Sequence, residues 1–183
     1  MQCTSCKNGV LVPTQLEDQF PARRCTRCGG NWIYLYDYLR WLDQGGATSA
    51  QEGSYQVEAQ ETEQAMLCPK TGSLMLKYRI SKDSSHLLDL SAEVSGIWLD
   101  KGEWDLLKSE GLATRLNAIF TEPWQKNIRS QTTRDVMQAL YKEKFGVDGY
   151  EKIKAIRTWL STSPNKAHLI AYLLAEDPYS THG

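Results

Sequence analysis

Four cysteines stand near the start of the chain as Cys3-x2-Cys6 and, eighteen residues on, Cys25-x2-Cys28, with Gly29-Gly30 directly behind the last. Each Cys-x2-Cys pair makes a tight knuckle that points two thiolates at one place. Two knuckles on opposing hairpin ends complete the tetrahedron that Zn2+ prefers. The two glycines fit that chemistry, because the backbone behind a knuckle turns sharply and brings N–H groups towards the sulfurs. A redox dithiol needs one Cys-x2-Cys opening a helix after a strand, not two pairs in register. The same four thiolates also suit an iron–sulfur cluster or a single iron. Four protein ligands leave no open position, so the expectation is one structural Zn2+ with no catalytic role.

The elements that must hold these ligands follow from the pattern around them. Gly9 to Val12 reads as a strand, Glu17-Asp18-Gln19 as a turn, and Phe20 to Cys25 as the returning strand that delivers the second knuckle. An extended Trp32-Ile33-Tyr34 and a short helix from Asp37 to Leu42, stopped by Gly45-Gly46, complete a zinc ribbon over residues 1–44. Trp32, Tyr34, Tyr36, Tyr38 and Trp41 offer either a base-stacking surface or a small domain's own core; the core reading is preferred for Trp32 and Trp41. Residues 45–65, polar and rich in Gly, Ser, Gln and Glu, read as a solvated linker.

From Met66 the chain repeats itself. Cys68-Pro-Lys-Thr71 falls where Cys3-Thr-Ser-Cys6 stands, and Ser95-Gly-Ile-Trp98 where Gly29-Gly-Asn-Trp32 stands. Thr71, Ser91 (or Leu90) and Val94 replace three ligands. Cys68 and His86 cannot close a zinc site between them, and His86 reads as an ordinary polar residue. Residues 66–113 are therefore expected to be a degenerate, metal-free copy, with Leu74, Leu76, Tyr78 and Trp98 packing inward. Asp100 and Glu103 should form a capping box for a helix that ends at Gly111.

The two Cys-x2-Cys pairs, the Gly-Gly and the Gly96-Ile-Trp-Leu-Asp-Lys-Gly-Glu-Trp run together resemble the bacterial zinc-finger domain named after transcription factor IIB. The resemblance covers residues 1–44, and residues 66–112 as a copy without metal. Tyr34 and Asp37 depart from the family's helix motif. The resemblance implies a zinc ribbon and, by analogy with the namesake, nucleic-acid binding.

Residues 120–183 read as a helical domain. Thr121-Glu-Pro-Trp starts a helix whose apolar stripe runs to Phe145 before Gly146. Tyr150, Ile153, Ile156, Trp159 and Leu160 mark a second helix, and Leu169, Ile170, Leu173 and Leu174 a third, so a three-helix bundle is expected. The fold class is thus α+β: a ribbon, a degenerate copy and a bundle.

Composition limits the function. The 183 residues carry 41% hydrophobic and 23% charged side chains, as soluble globular proteins do, and a net charge of −1 exerts no global pull on nucleic acid or anionic membrane. With no membrane-length apolar run, no leader-like apolar core and an unpaired fifth cysteine, a cytoplasmic protein is expected. No nucleophile triad, phosphate loop or dinucleotide fingerprint is visible, so the chain reads as a non-enzyme. Two partner classes fit. Lys7, Arg23, Arg24, Arg27 and Arg40 would contact single-stranded or structured nucleic acid weakly. Alternatively, the acidic middle module or the helical bundle would dock a protein, with zinc purely structural.

Overall fold

A computed structural model describes residues 1–46 and 58–179. The expected linker lies partly outside them. Residues 1–131 form one compact unit and residues 132–183 another.

The first unit is built on one six-stranded antiparallel sheet of β1 (Leu11–Glu17), β2 (Phe20–Cys25), β3 (Asn31–Tyr34), β4 (Leu76–Arg79), β5 (Leu87–Ser91) and β6 (Gly96–Leu99). The spatial order is β1-β2-β3-β6-β5-β4. The stretches expected to be separate modules, 1–44 and 66–113, are therefore joined edge to edge through β3 and β6. Asn31 pairs with Leu99, Trp32 with Trp98, Ile33 with Ile97, and Tyr34 with Gly96. A strand left at an edge exposes a row of unpaired N–H and C=O groups, and pairing the two edges removes that exposure.

Glycine permits this approach. A Cβ on Gly96 would stand 2.0 Å from the Trp32 ring, and one on Gly30 2.3 Å from the Trp98 ring. Each indole lies over the glycine of the other strand.

The sheet buries both faces. On one, Phe20, Ala22, Ile33, Ile97, Leu99 and Leu88 meet helix α1 (Leu35–Trp41), which continues as a wider turn to Gly46, and helix α2 (Glu103–Ser109). Phe20 stacks on Trp41 with centroids 5.3 Å apart, and Trp104 meets both edge-on. Trp104 Nε1 and Lys108 Nζ donate to Glu17 Oε1, each at 2.8 Å, which ties α2 to the β1–β2 turn. On the other face Trp32, Trp98, Leu11, Met66 and Met75 pack with the cysteines. Trp32, Tyr38 and Trp41 are core residues, as the packing reading requires; Tyr34 is half-buried and Tyr36 exposed.

Several local expectations change. Helix α1 begins two residues before Asp37, because Ser95 O caps the Leu35 amide. Leu74 and Leu76 are exposed, with Met75 buried between them, whereas Tyr78 packs against the core as expected and Ile80 beyond it is buried. The capping box forms by half. Glu103 Oε2 accepts from the Asp100 amide at 2.7 Å, but the Asp100 carboxylate takes Trp98 Nε1 and the amide and hydroxyl of Thr62 instead. The residue preceding the helix is Gly102 at φ 88°, where a Cβ would stand 2.7 Å from Glu58 O. Gly111, at φ 67°, follows the helix end as expected. Residues 58–65 are no solvated spacer: they run against Lys101, Asp100 and Leu87 through Gln60, Thr62 and Glu61.

Helix α3 (Leu116–Ile119) closes the first unit's core, and α4 (Glu122–Thr162) breaks at Gly146, where φ is 71°. Helix α5 spans Lys166–Leu174. Among the described residues of 132–179 none is buried, so the apolar stripes that predicted a bundle, Ile153, Ile156, Trp159 and Leu173 among them, face solvent. Helical period was readable there; the mutual burial of three helices is not what the described residues display.

Candidate metal centre

Hairpin β1–β2 sets Leu11 opposite Cys25, which brings the loop before β1 and the turn after β2 to the same end of the sheet. The first loop closes through Cys3 N–H donating to Gly9 O at 2.8 Å, with Lys7 in a left-handed turn at φ 60°. The second closes through Cys25 N–H to Gly30 O at 2.8 Å and Gly29 N–H to Cys25 O at 3.2 Å, with Gly29 at φ 75°. Both knuckles thus present their thiolates inward.

The four Sγ atoms lie within 4.8 Å of one another. Cys3 and Cys28 are 3.8 Å apart at sulfur, and Cys6 and Cys25 3.6 Å. A tetrahedron with Zn–S of about 2.3 Å has edges of about 3.8 Å, so these separations are those of a zinc tetrathiolate. Disulfides are shorter by almost half. The Arg27 amide points at Cys25 Sγ from 3.4 Å and supports its negative charge.

Without a cation the four sulfurs cannot all carry charge. Burial pushes Cys3 upward and Cys28 up to about 11. Burial also opposes ionisation of Cys6, but the Asn8 amide and the neighbouring thiols outweigh it and lower that group to about 6. A dication supplies the missing charge and turns four competing thiols into four ligands. The residues fit Zn2+, and with four protein ligands the ion is structural.

Gly9 is a requirement that cysteine spacing did not reveal. A Cβ there would lie 2.2 Å from Cys25 Sγ and 3.2 Å from Cys6 Sγ. The metal centre leaves room for backbone only.

The basic residues expected beside the ribbon are all exposed but do not share one surface. Side chains alternate along a strand, so Arg23 and Arg24 project from opposite faces of β2. Arg24, Arg27 and Lys101 line a shallow groove of about 390 Å³ across the second knuckle, bounded by Val12, Pro13 and Thr14. Arg23 belongs to another, with Pro13, Trp32, Tyr34, Tyr36 and Asp37. There Tyr34 and Tyr36 stack with centroids 5.2 Å apart, and Lys70 Nζ lies 5.6 Å from the Tyr34 ring centre. Lys7 lies in the first knuckle, and Arg40 pairs with Asp37 at 3.9 Å.

A second polar gathering was missed by the sequence reading. His86 lies against Glu61 and Glu103, at 3.3 and 3.5 Å. Glu61 came from the presumed linker, and no local pattern marks it.

Residues 2–44 match the family model described as a transcription factor zinc-finger, so this stretch is a zinc-ribbon domain. No curated protein and no solved structure matches the chain. No helix among the described residues is long and apolar enough to cross a membrane.

Proposed function

We propose that the protein is a non-enzymatic binding protein whose zinc ribbon holds a weak site for single-stranded or structured nucleic acid. One observation carries this reading: the solvent-facing Tyr34–Tyr36 stack flanked by the cations of Arg23 and Lys70. An exposed ring takes a base by its face, and neighbouring cations hold the phosphates on either side. The groove of Arg24, Arg27 and Lys101, lined by no carboxylate, offers a second phosphate contact. Since the cations are divided between two faces, two or three phosphates are engaged at once, and the slope of log K against log salt is about −1.5 to −2.

Titration of labelled single-stranded DNA, RNA and duplex at low salt tests the reading. Tyr36→Ala should weaken single-strand binding about tenfold. Arg24→Ala with Arg27→Ala should lower the salt slope. Wild type that binds none of the three, or a Tyr36→Ala protein that binds as wild type does, overturns it.

We further propose that β4, β5, β6 and α2 are a metal-free second copy of the ribbon. Support comes from the mirrored strand order, the Trp32–Trp98 pairing and matching turns. Cys68 N–H donates to Ser73 O at 2.8 Å as Cys3 N–H does to Gly9 O, and Gly72 at φ 76° stands where Lys7 is at φ 60°. Burial opposes ionisation of the Cys68 thiol, but the neighbouring Ser91 and Thr71 hydroxyls outweigh it and lower it, so hydroxyls lie beside the thiol where two ligands stand in the first copy.

A protein-docking role, with zinc purely structural, is the second reading. It is favoured by the exposed apolar residues of the second unit, among them Val147, Ile153, Trp159 and Leu173.

A further inference from the structure

Three side chains from three separate segments meet where β5 begins, at the opposite end of that strand from Ser91. His86 directly precedes β5, Glu103 opens α2, and Glu61 comes from the extended stretch that crosses both. His86 Nδ1 lies 3.3 Å from Glu61 Oε2 and 3.5 Å from Glu103 Oε1, and one ligand atom from each residue falls within 4.8 Å of the others. A divalent ion held at about 2.1 Å by tetrahedrally placed ligands separates them by about 3.4 Å.

Glu103 is 1% exposed, yet its Oε1 has no hydrogen-bond partner, and neither does Glu61 Oε1 or His86 Nδ1. A buried carboxylate oxygen without a donor is costly and rarely left so. Both carboxylates are oriented from behind. The Asp100 amide holds Glu103 Oε2 at 2.7 Å and the Leu87 amide holds Glu61 Oε2 at 2.9 Å, as backbone donors do for carboxylates that bind metals.

The charge balance asks for a cation. Glu61, Glu103, Asp89 and Asp100 face this region, with Glu110 acting on His86 from further out. Against them stands Lys77, which is already bound to Asp89 at 3.0 Å and is 3.7 Å from Glu61. A proton on His86 would offset one carboxylate; a dication on a neutral imidazole offsets two.

We propose that Glu61, His86 and Glu103 form a second metal site, distinct from the four-cysteine centre, that takes an exchangeable first-row divalent ion. One imidazole and two carboxylates suit Zn2+ or Co2+. Three protein ligands leave a position for water or for a partner's donor. The side chains of Glu61 and His86 are 21% and 19% exposed, while His86 Nδ1, Glu61 Oε1 and Glu103 Oε1 are themselves buried. With three ligands and no thiolates, this ion exchanges where the ribbon's zinc does not.

The test uses full-length protein with Zn2+ in the thiolate centre and free metal removed, titrated with Co2+. The expected result is one equivalent of Co2+ bound with weak visible bands and no thiolate-to-cobalt charge transfer, accompanied by a rise in melting temperature. Glu61→Gln and His86→Gln, both at partly exposed positions, should weaken that binding about tenfold or more and abolish the temperature rise, with wild-type circular dichroism. Three results overturn the proposal: no Co2+ bound by wild type, a charge-transfer band that reports exchange at the cysteines, or folded variants that bind as wild type does.

Discussion

The two ends of the sheet carry nearly the same turn with different contents. Around Cys3 the loop closes on Gly9, and four sulfurs fill the space beneath it. Around Cys68 a loop one residue shorter closes on Ser73, and Thr71, Ser91 and one thiol fill that space. Ser73 has a side chain where Gly9 has none, and its hydroxyl bonds Thr71 at 2.6 Å and Glu93 at 2.7 Å. The backbone of a knuckle therefore does not depend on the metal. What depends on the metal is whether anything but hydrogen fits above the sulfurs.

The largest expected effect removes that distinction. Cys25→Ser should cost most of the roughly 10–16 kcal/mol that structural zinc contributes at neutral pH. Because β3 pairs with β6, the damage should extend beyond residues 1–44. Hydrogen exchange should show lost protection in β1 to β3 and partial loss in β6. Cys68→Ser, which keeps a polar group beside Ser91 and Thr71, should cost about 1–2 kcal/mol by urea denaturation. Equal costs for the two serines would refute the division of roles.

A smaller effect comes from glycine. Gly9→Ala puts a methyl 2.2 Å from Cys25 Sγ and should lower zinc affinity by at least about 100-fold in competition with a chelator. Ser73→Gly, at the matching place, should cost under about 1 kcal/mol and leave zinc untouched. Smaller still, Gly96→Ala and Gly30→Ala each press a methyl into the facing indole and should cost about 1–3 kcal/mol in stability by denaturation. If the pairing of β3 with β6 is as described, the two costs should be similar.

Legibility follows the range of the interaction. The zinc ligands were readable because a knuckle is local, and its residue types and spacing state the chemistry. Gly96 and Trp98 stand at the same spacing as Gly30 and Trp32, which the sequence displays directly. That the two tryptophans pair with each other was not readable, since a register between strands 66 residues apart leaves no period in either. Leu74 and Leu76 were read as inward and are exposed with Met75 buried between them, while Tyr78 of the same alternation packs against the core. Glu61 is visible only once the chain around it has packed against Leu87 and His86. In residues 132–179 the helical period gave the helices correctly and their burial wrongly, because an apolar stripe specifies a face and not what covers it.

The smallest expected effect concerns the end of the second half where carboxylates, not sulfurs, are crowded. Burial raises Glu103 from 4.5 to about 7 and Asp89 from 3.8 to about 6, while the Glu103 carboxylate, against the pull of burial, raises His86 above its ordinary 6.5. Each of these groups keeps its proton in the folded protein at a pH where the unfolded chain has released it. The folded state therefore binds more protons between about pH 4.5 and 7, and stability falls as pH rises through that window. The thiolate centre acts in the opposite sense, because acid releases its zinc. The useful quantity is thus the difference between wild type and Glu103→Gln, measured with free metal ion buffered low enough to fill the thiolate centre alone. Between pH 5 and 8 wild type should lose on the order of 1–2 kcal/mol relative to the variant, since the titrations of Glu103 and His86 are linked and their separate shifts do not add. That corresponds to about 2–4 °C in melting temperature per kcal/mol for a chain of this size. Parallel pH profiles for the two proteins would show that the Glu103 carboxylate titrates as an ordinary one, and that the two ends of the second half do not differ in charge as described.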